Sequence, residues 1–154
     1  MDYKSMFSPK LIELSVAATT EADVFKVVAE KLLEAGMVNE GYFHGISKRE
    51  ENFPTGLVTQ HLNIALPHAD PEFVKEAFVF ICRLQSPVTC RQMGDNREME
   101  VENLFFLGIK DGKNQVGLLQ VFMNLFMDEE FVQEFLTIDC PKTMYQFFIQ
   151  SIEH

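Results

Sequence analysis

Apolar and polar residues alternate along the first third of the chain in a pattern that predicts one strand and two helices. Residues 11–16, with the sequence LIELSV, have the alternation of a strand. Thr20 predicts the start of a helix, because Asp23 lies three residues later as a capping-box partner and an apolar stripe follows at helical spacing. A second, shorter helix is predicted over residues 39–51.

The middle of the chain predicts four more strands. They lie at residues 64–66, 77–84, 88–93 and 101–109, which are short apolar segments bounded by turn residues. Only residues 85–87, Gln-Ser-Pro, separate the second of these strands from the third, which is too short for a crossover. We therefore expect those two strands to form a hairpin or a bent meander.

The C-terminal part of the chain predicts three helices. The first covers residues 115–127, with an apolar side made of Val116, Leu119, Phe122, Met123 and Phe126. Asp128 is expected to cap the second helix, and Asp139 with Pro141 to open the third. Because strands and helices interleave, the expected fold is α/β. It is a single compact domain over residues 1–154, with a mixed parallel and antiparallel sheet of about five strands and helices on both faces.

Composition narrows the class of protein. A chain of 154 residues with 47% hydrophobic and 23% charged residues is typical of one globular domain with a substantial core. No apolar run approaches the length of a membrane span, and the N-terminal residues MDYKSMFSPK lack the apolar core of a signal peptide. We therefore expect a cytoplasmic protein that does not insert into a membrane.

Charge and cysteine usage exclude further classes. A net charge of −10 argues against nucleic-acid binding, because an acidic surface repels phosphate backbones. The charge suits a protein partner with a basic face, although solubility alone explains it equally well. Cys82, Cys90 and Cys140 are widely spaced and lack a C-x-x-C pattern, which argues against a disulfide framework and a zinc site. We expect the first two to be small core residues.

A proline–histidine pair follows the short strand predicted at residues 64–66. Pro67 has no N–H and a fixed φ, so the strand ends there and His68 lies at its mouth on a stiff backbone. Asp70 and Pro71 then predict the N-cap and first residue of a helical turn. A histidine presented in this way is positioned for chemistry, although a lone histidine is more often a surface or hydrogen-bonded structural residue.

An arginine and a Pro-Thr-Gly segment precede that histidine. Arg49 and Glu50 lie in the last turn of the second predicted helix, and residues 54–57, PTGL, are expected to form a turn. In this order the pattern resembles the fructose/mannitol-type enzyme IIA domain of the bacterial phosphoenolpyruvate-dependent sugar phosphotransferase system, and most of all its galactitol branch. The resemblance implies that His68 carries a phosphoryl group on Nε2. The guanidinium of Arg49 matches phosphate geometry, but a basic residue is also favoured at a helix C-terminus for structural reasons.

The resemblance also implies the partners. His68 would receive the phosphoryl group from the phosphocarrier protein HPr and pass it to a cognate enzyme IIB, which serves a membrane IIC permease for sugar uptake. Two proteins must then reach His68, so we expect a shallow depression rimmed by apolar and acidic groups. The alternative is a regulatory enzyme IIA-like module whose phosphorylation controls another protein. A binding domain that has lost phosphorylation is disfavoured, because Arg49 and His68 are both present.

One position departs from the mannitol-like members, which have a second histidine near the active one. Gln115 stands at the matching position, and its amide can donate a hydrogen bond to a phosphoryl oxygen but cannot carry a charge or a proton. A surface position at the start of a helix explains Gln115 equally well. No histidine has cysteine or carboxylate neighbours at metal-ligand spacing, and no glycine-rich phosphate loop is present. We therefore expect no metal, no bound nucleotide and no cofactor.

Overall fold

The chain forms one five-stranded sheet in the computed structural model, which describes residues 2–152. The strands are β1 (Ile12–Val16), β2 (Gly56–Val58), β3 (Asn63–Ala65), β4 (Phe78–Arg91) and β5 (Glu98–Gly108). Their order in the sheet is β1-β4-β5-β3-β2. The pairs β1–β4 and β3–β5 are parallel, whereas β4–β5 and β2–β3 are antiparallel. The prediction of a mixed sheet is confirmed.

Helices cover both faces of this sheet, as predicted. They are α1 (Glu21–Glu34), α2 (Tyr42–Asn52), α3 (Gly112–Phe126), α4 (Glu129–Thr137) and α5 (Pro141–Ser151). The helices α1 and α2 share one buried apolar cluster with one face of the sheet, and α3, α4 and α5 share a second cluster with the other face. Among the described residues, no helix combines the length and hydropathy needed to cross a lipid bilayer.

The helices α1 and α4 begin at the capping residues predicted for them, and α5 begins at Pro141 as predicted, although its N-cap is Cys140 and not Asp139. Thr20 and Asp23 form a capping box at the start of α1, with each side chain bonded to the other residue's backbone N–H. Asp128 accepts hydrogen bonds from two N–H groups of the first turn of α4, and Pro141 is the first residue of α5. Local capping therefore fixes the helix starts before any tertiary contact is considered.

One prediction about the middle of the chain is wrong. Residues 77–84 and 88–93 do not form a hairpin, because β4 runs as one long strand through both segments. Its pairing with β5 is interrupted between Arg83 and Val88, where β4 bulges. Pro87 lacks the N–H that a regular ladder needs, and a bulge accommodates that loss without reversing the chain.

The predicted inner face of α3 is only partly correct. Phe122 and Phe126 are fully buried, but Val116 is 72% exposed and Leu118 is buried in its place. The helix begins at Gly112, three residues before the predicted start, and its buried stripe runs through positions 118, 122 and 126 at a spacing of four. Val116 lies outside that stripe.

The Pro-Thr-Gly segment is not a turn. Gly56 is the first residue of β2, and its carbonyl accepts a hydrogen bond from the N–H of Met93 at 2.8 Å. A Cβ at position 56 would overlap the backbone carbonyl of Arg91 and the sulfur of Met99. Glycine is therefore required here for close approach of the β4–β5 hairpin and not for a left-handed conformation.

An aromatic ring joins α2 to the segment that follows His68. Phe73 ends the 3₁₀ turn Pro71–Phe73, and its ring lies against Gly41 and Gly45, where any Cβ would overlap it. The backbone N–H of Asn39 donates to the Phe73 carbonyl at 3.1 Å. These contacts fix the segment after His68 against the helix that carries Arg49.

We predict that Gly56→Ala destabilises the fold by about 1–3 kcal/mol, because the backbone at Arg91 cannot give way to a new methyl group. Gly112→Ala is the matched control, since a Cβ at position 112 has no heavy atom within 4 Å and alanine favours helix. Chemical denaturation of the three proteins measures the difference. Equal stability of the Gly56→Ala variant and the parent would contradict the close approach.

Candidate active site

His68 lies just beyond the end of β3, where Pro67 ends the strand. The Pro67 carbonyl accepts a hydrogen bond from the N–H of Leu107 at 2.9 Å, so the segment stays attached to β5 after the regular ladder stops. His68 itself forms an isolated bridge with Leu107 and is only 6% exposed. The imidazole is therefore held by sheet contacts and is not a mobile surface side chain.

The two ring nitrogens of His68 have different partners. Nδ1 lies 2.8 Å from the carbonyl oxygen of Leu66, and a carbonyl oxygen can only accept a hydrogen bond. Nδ1 therefore carries the proton in the neutral ring. Nε2 then presents its lone pair, and it lies 3.2 Å from the side-chain nitrogen of Gln115, which donates to it. This is the tautomer that a nucleophilic Nε2 requires.

The environment favours the neutral ring. Burial lowers the pKa of His68 most strongly, and the positive charge of Arg49 lowers it further. The Leu66 carbonyl and the Asp70 carboxylate act in the opposite direction but do not outweigh burial. A pKa below the ordinary value favours the neutral ring at pH 7, and a neutral imidazole can act as a nucleophile without a separate base.

Arg49 lies in the last turn of α2 and faces the segment that follows His68. Its guanidinium Nη1 lies 2.9 Å from a carboxylate oxygen of Asp70, and the charged group is 5.4 Å from the centre of the Phe53 ring. The Arg49 Nε is buried without a hydrogen-bond partner among the described residues. The structure therefore brings the charge of Arg49 close enough to act on His68. The ion pair with Asp70 is an interaction that the helix C-terminus alone does not explain.

An open groove of about 330 Å³ lies beside the Arg49–Asp70 pair. Its walls are His44, Gly45, Lys48, Arg49, Asn52, Phe53, Asp70, Glu72 and Phe73. The expected depression was to contain His68 and to have an apolar and acidic rim, but His68 does not line this groove, whose walls mix basic, acidic and aromatic side chains. Its basic groups come from Lys48 and Arg49 near the end of α2.

The first turn of α3 supplies the third side of the site. Asp111 caps this helix by accepting from the N–H of Lys113 at 3.0 Å, and Gln115 follows within the first turn. The N-terminus of a helix carries a partial positive charge that favours an anion nearby. Gln115 thus lies at the start of a helix, which was the structural alternative for this residue, and it also contacts His68.

Three features of the site were not found from the sequence. Asp70 occupies the predicted cap position of the 3₁₀ turn, but its side chain makes no cap hydrogen bond and pairs with Arg49 instead. The Leu66 carbonyl, which selects the tautomer of His68, has no sequence signal. Glu50 accepts two hydrogen bonds from Thr55, and only its place beside Arg49 in the motif could have indicated a role.

None of the other candidate residues has a hydrogen bond to His68 among the described residues, although His44 lines the groove beside Arg49. His44 is exposed on α2, and His61 lies in the loop between β2 and β3. Cys82 and Cys90 are buried in β4, as predicted for core residues. Within residues 2–152, no three histidine, cysteine or carboxylate side chains are grouped in a way that could hold a metal ion.

Comparisons with known proteins agree on one family. The family model described as "Phosphoenolpyruvate-dependent sugar phosphotransferase system, EIIA 2" matches residues 5–151. The galactitol-specific EIIA component of Escherichia coli K12 is 21% identical over 132 residues, which are 86% of this chain and 87% of that protein.

Solved structures share the fold. A candidate PTS IIA domain from Streptococcus pyogenes M1 GAS superposes with a TM-score of 0.79 at 20% identity, over 100% of this chain and 99% of the other. The mannitol enzyme IIA of Escherichia coli, solved in complex with phosphorylated enzyme IIB, gives a TM-score of 0.74 at 20% identity, over 95% and 99% of the two chains.

We predict that His68 titrates below 6.5, the ordinary pKa of histidine, because burial disfavours the imidazolium. An NMR titration of the ring nitrogens should give a midpoint below this value, with the proton on Nδ1 in the neutral form. The same histidine in urea-unfolded protein is the control. A folded-state midpoint above the unfolded one would show that the Leu66 carbonyl and the Asp70 carboxylate together outweigh burial.

Proposed function

We propose a phosphoryl relay for this chain, which belongs to the EIIA 2 family of the phosphoenolpyruvate-dependent sugar phosphotransferase system. Components of this family are phosphotransferase phosphocarriers. In our proposal His68 accepts a phosphoryl group from phospho-HPr and passes it to a cognate enzyme IIB. The observation that carries the proposal is the hydrogen bond from Nδ1–H of His68 to the Leu66 carbonyl, which leaves the Nε2 lone pair as the nucleophile.

Each transfer is a reversible substitution at phosphorus. Nε2 of His68 attacks in line, the new N–P bond forms, and the bond from phosphorus to the donor's imidazole breaks with its electron pair going to that ring. The His68 ring gains positive charge as Nε2 bonds phosphorus. The Leu66 carbonyl, already bonded to Nδ1–H, stabilises this charge without rearrangement.

Arg49 and Gln115 are the proposed ligands of the phosphoryl oxygens. Arg49 offers a permanent charge and a planar fork, and its bond to the half-exposed Asp70 is one that a phosphoryl group can displace. Gln115 now donates to Nε2, so its amide must move from the nucleophile to a phosphoryl oxygen as the bond forms. Since His68 is only 6% exposed, the same movement of the half-buried Gln115 opens the ring to a partner.

The remaining parts of the proposal follow from the family and the similar proteins. Residues 1–154 act as a single enzyme IIA type-2 domain, in the cytoplasm and without a cofactor. The acceptor, enzyme IIB, delivers the phosphoryl group to sugar entering through a membrane IIC permease. The relative specific for galactitol and the glutamine in place of a second histidine support a galactitol-type system.

We predict that His68 is the residue that accepts phosphate. Incubation with phosphoenolpyruvate, enzyme I and HPr should add one acid-labile, base-stable phosphate to the parent protein and none to His68→Ala. His61→Ala, which changes a histidine in the β2–β3 loop, is the control and should be labelled like the parent. Mass spectrometry at neutral pH measures the label.

The outcomes separate the two candidate functions. Full labelling of His68→Ala would remove His68 from the relay. A parent protein that is labelled but transfers nothing to enzyme IIB proteins would favour the regulatory alternative, in which the phosphorylated form controls another protein.

We also predict that Arg49→Lys slows transfer roughly tenfold or more while the fold remains intact, because a bidentate contact becomes a point charge. Arg97→Lys is the matched control, since Arg97 pairs with Asp95 at the exposed β4–β5 turn. Rapid-quench kinetics with phospho-HPr measure both variants. Equal rates for the two would assign Arg49 to a structural role at the end of α2.

A further inference from the structure

Glu50 is a buried carboxylate that the proposed relay does not use. It is only 5% exposed, in the last turn of α2 directly after Arg49. Its two oxygens accept hydrogen bonds from one residue: Oε2 from the backbone N–H of Thr55 and Oε1 from the Thr55 hydroxyl, each at 2.8 Å. Glu50 thus holds Thr55 by both of the hydrogen-bond donors that this residue has.

Thr55 leads directly to His68. The Thr55 carbonyl accepts a hydrogen bond from the N–H of Leu66 at 3.3 Å, and the Leu66 carbonyl accepts from Nδ1–H of His68 at 2.8 Å. A series of hydrogen bonds therefore links the Glu50 carboxylate to the imidazole through the backbones of two residues, Thr55 and Leu66. Thr55 is itself only 3% exposed, so loss of the carboxylate would leave its two donors without their protein partner.

The environment of Glu50 makes this arrangement costly. Burial raises the pKa of Glu50, and the two bonds from Thr55, together with the charge of Arg49, act against that rise. On the opposite side, Glu50 lines a cavity of about 340 Å³ that it shares with Glu21. Burial and the charge of Glu50 together raise the pKa of Glu21 to about 7. Burying a carboxylate close to a second one costs free energy, so a contribution to stability does not by itself explain why Glu50 is here.

We propose that Glu50 is a positioning residue for the relay, acting through Thr55 and Leu66 to hold His68 in the tautomer whose Nε2 is the nucleophile. The inference rests on the proposed function of His68. By fixing Thr55, Glu50 helps to fix the backbone of Leu66, whose N–H donates to the Thr55 carbonyl and whose carbonyl accepts from His68. One turn of α2 then serves both halves of the site, since Arg49 supplies the charge and Glu50 the orientation of the ring.

The test uses three variants of Glu50 in the full chain. Glu50→Ala removes both acceptors. Glu50→Asp keeps the charge but is shorter by one methylene group, so its carboxylate cannot keep both bonds to Thr55. Glu50→Gln keeps the length, because its amide oxygen accepts from the Thr55 N–H and its amide nitrogen donates to the Thr55 hydroxyl. Val132→Ala, in the buried face of α4, is the control for a general loss of stability.

Two measurements are made on each folded protein. NMR of the His68 ring nitrogens in the unphosphorylated state reports the tautomer, and rapid-quench kinetics with phospho-HPr report transfer. For the alanine and aspartate variants we expect a mixture of tautomers and transfer slowed roughly tenfold or more, the size of effect typical when a partner that orients a histidine is lost. The glutamine variant should restore both the tautomer and the rate.

The NMR measurement needs no partner protein, so it separates this inference from the relay itself. If the parent protein shows the Nδ1–H tautomer and accepts no phosphate, the proposed function fails while the orienting role of Glu50 is still measured. If Glu50→Asp keeps the parent's tautomer and transfer rate, Glu50 is structural and our inference is overturned, whether or not Glu50→Ala folds. The inference is also overturned if the Glu50 variants lose melting temperature without any change in the tautomer of His68, which is the result that we expect for Val132→Ala.

Discussion

The hydrogen bond between Nδ1–H of His68 and the carbonyl of Leu66 is the interaction on which the proposed chemistry of this site depends. An imidazole has two nitrogens of similar basicity, and a buried neutral ring places its proton on whichever one finds the better acceptor. A backbone carbonyl can only accept a hydrogen bond, so it keeps the proton of the neutral ring on Nδ1 whatever the pH or the partner. It is within reach of the ring because the chain leaves the strand at Pro67, between Leu66 and His68.

The architecture brings three elements to that ring. Parallel pairing of β3 with β5 carries the chain to His68, the last turn of α2 brings Arg49, and the first turn of α3 brings Gln115. The helices α2 and α3 belong to different apolar clusters on opposite faces of the sheet. The site therefore lies where the two layers of helices meet at one end of the sheet, and both cores must be intact for its parts to align.

The end of the strand before His68 and the starts of α1, α4 and α5 could be predicted from the sequence, but strand β2 and the side-chain contacts of the site could not. Pro67 predicts where the strand ends, and capping residues predict the helix starts, because both effects are local. The pairing of Arg49 with Asp70 spans 21 residues and the contact of Gln115 with His68 spans 47, so only the fold brings them together. At Asp70, a long-range ion pair replaced the expected cap. At Pro87, local reasoning detected the break in the strand, but pairing with β5 decided that the chain bulges and does not reverse.

The ring of Phe73 also has a consequence for how the site responds to its surroundings. The two glycines at positions 41 and 45, one helical turn apart, leave a recess in α2 that this ring fills. The spacing between α2 and the segment after His68 is thus set by the thickness of an aromatic ring, which ionic strength does not change. Salt weakens the attraction between Arg49 and Asp70, but it leaves the two residues facing each other across the same gap. In the proposed relay, Arg49 can therefore exchange the Asp70 carboxylate for a phosphoryl group while the distance between α2 and this segment stays the same.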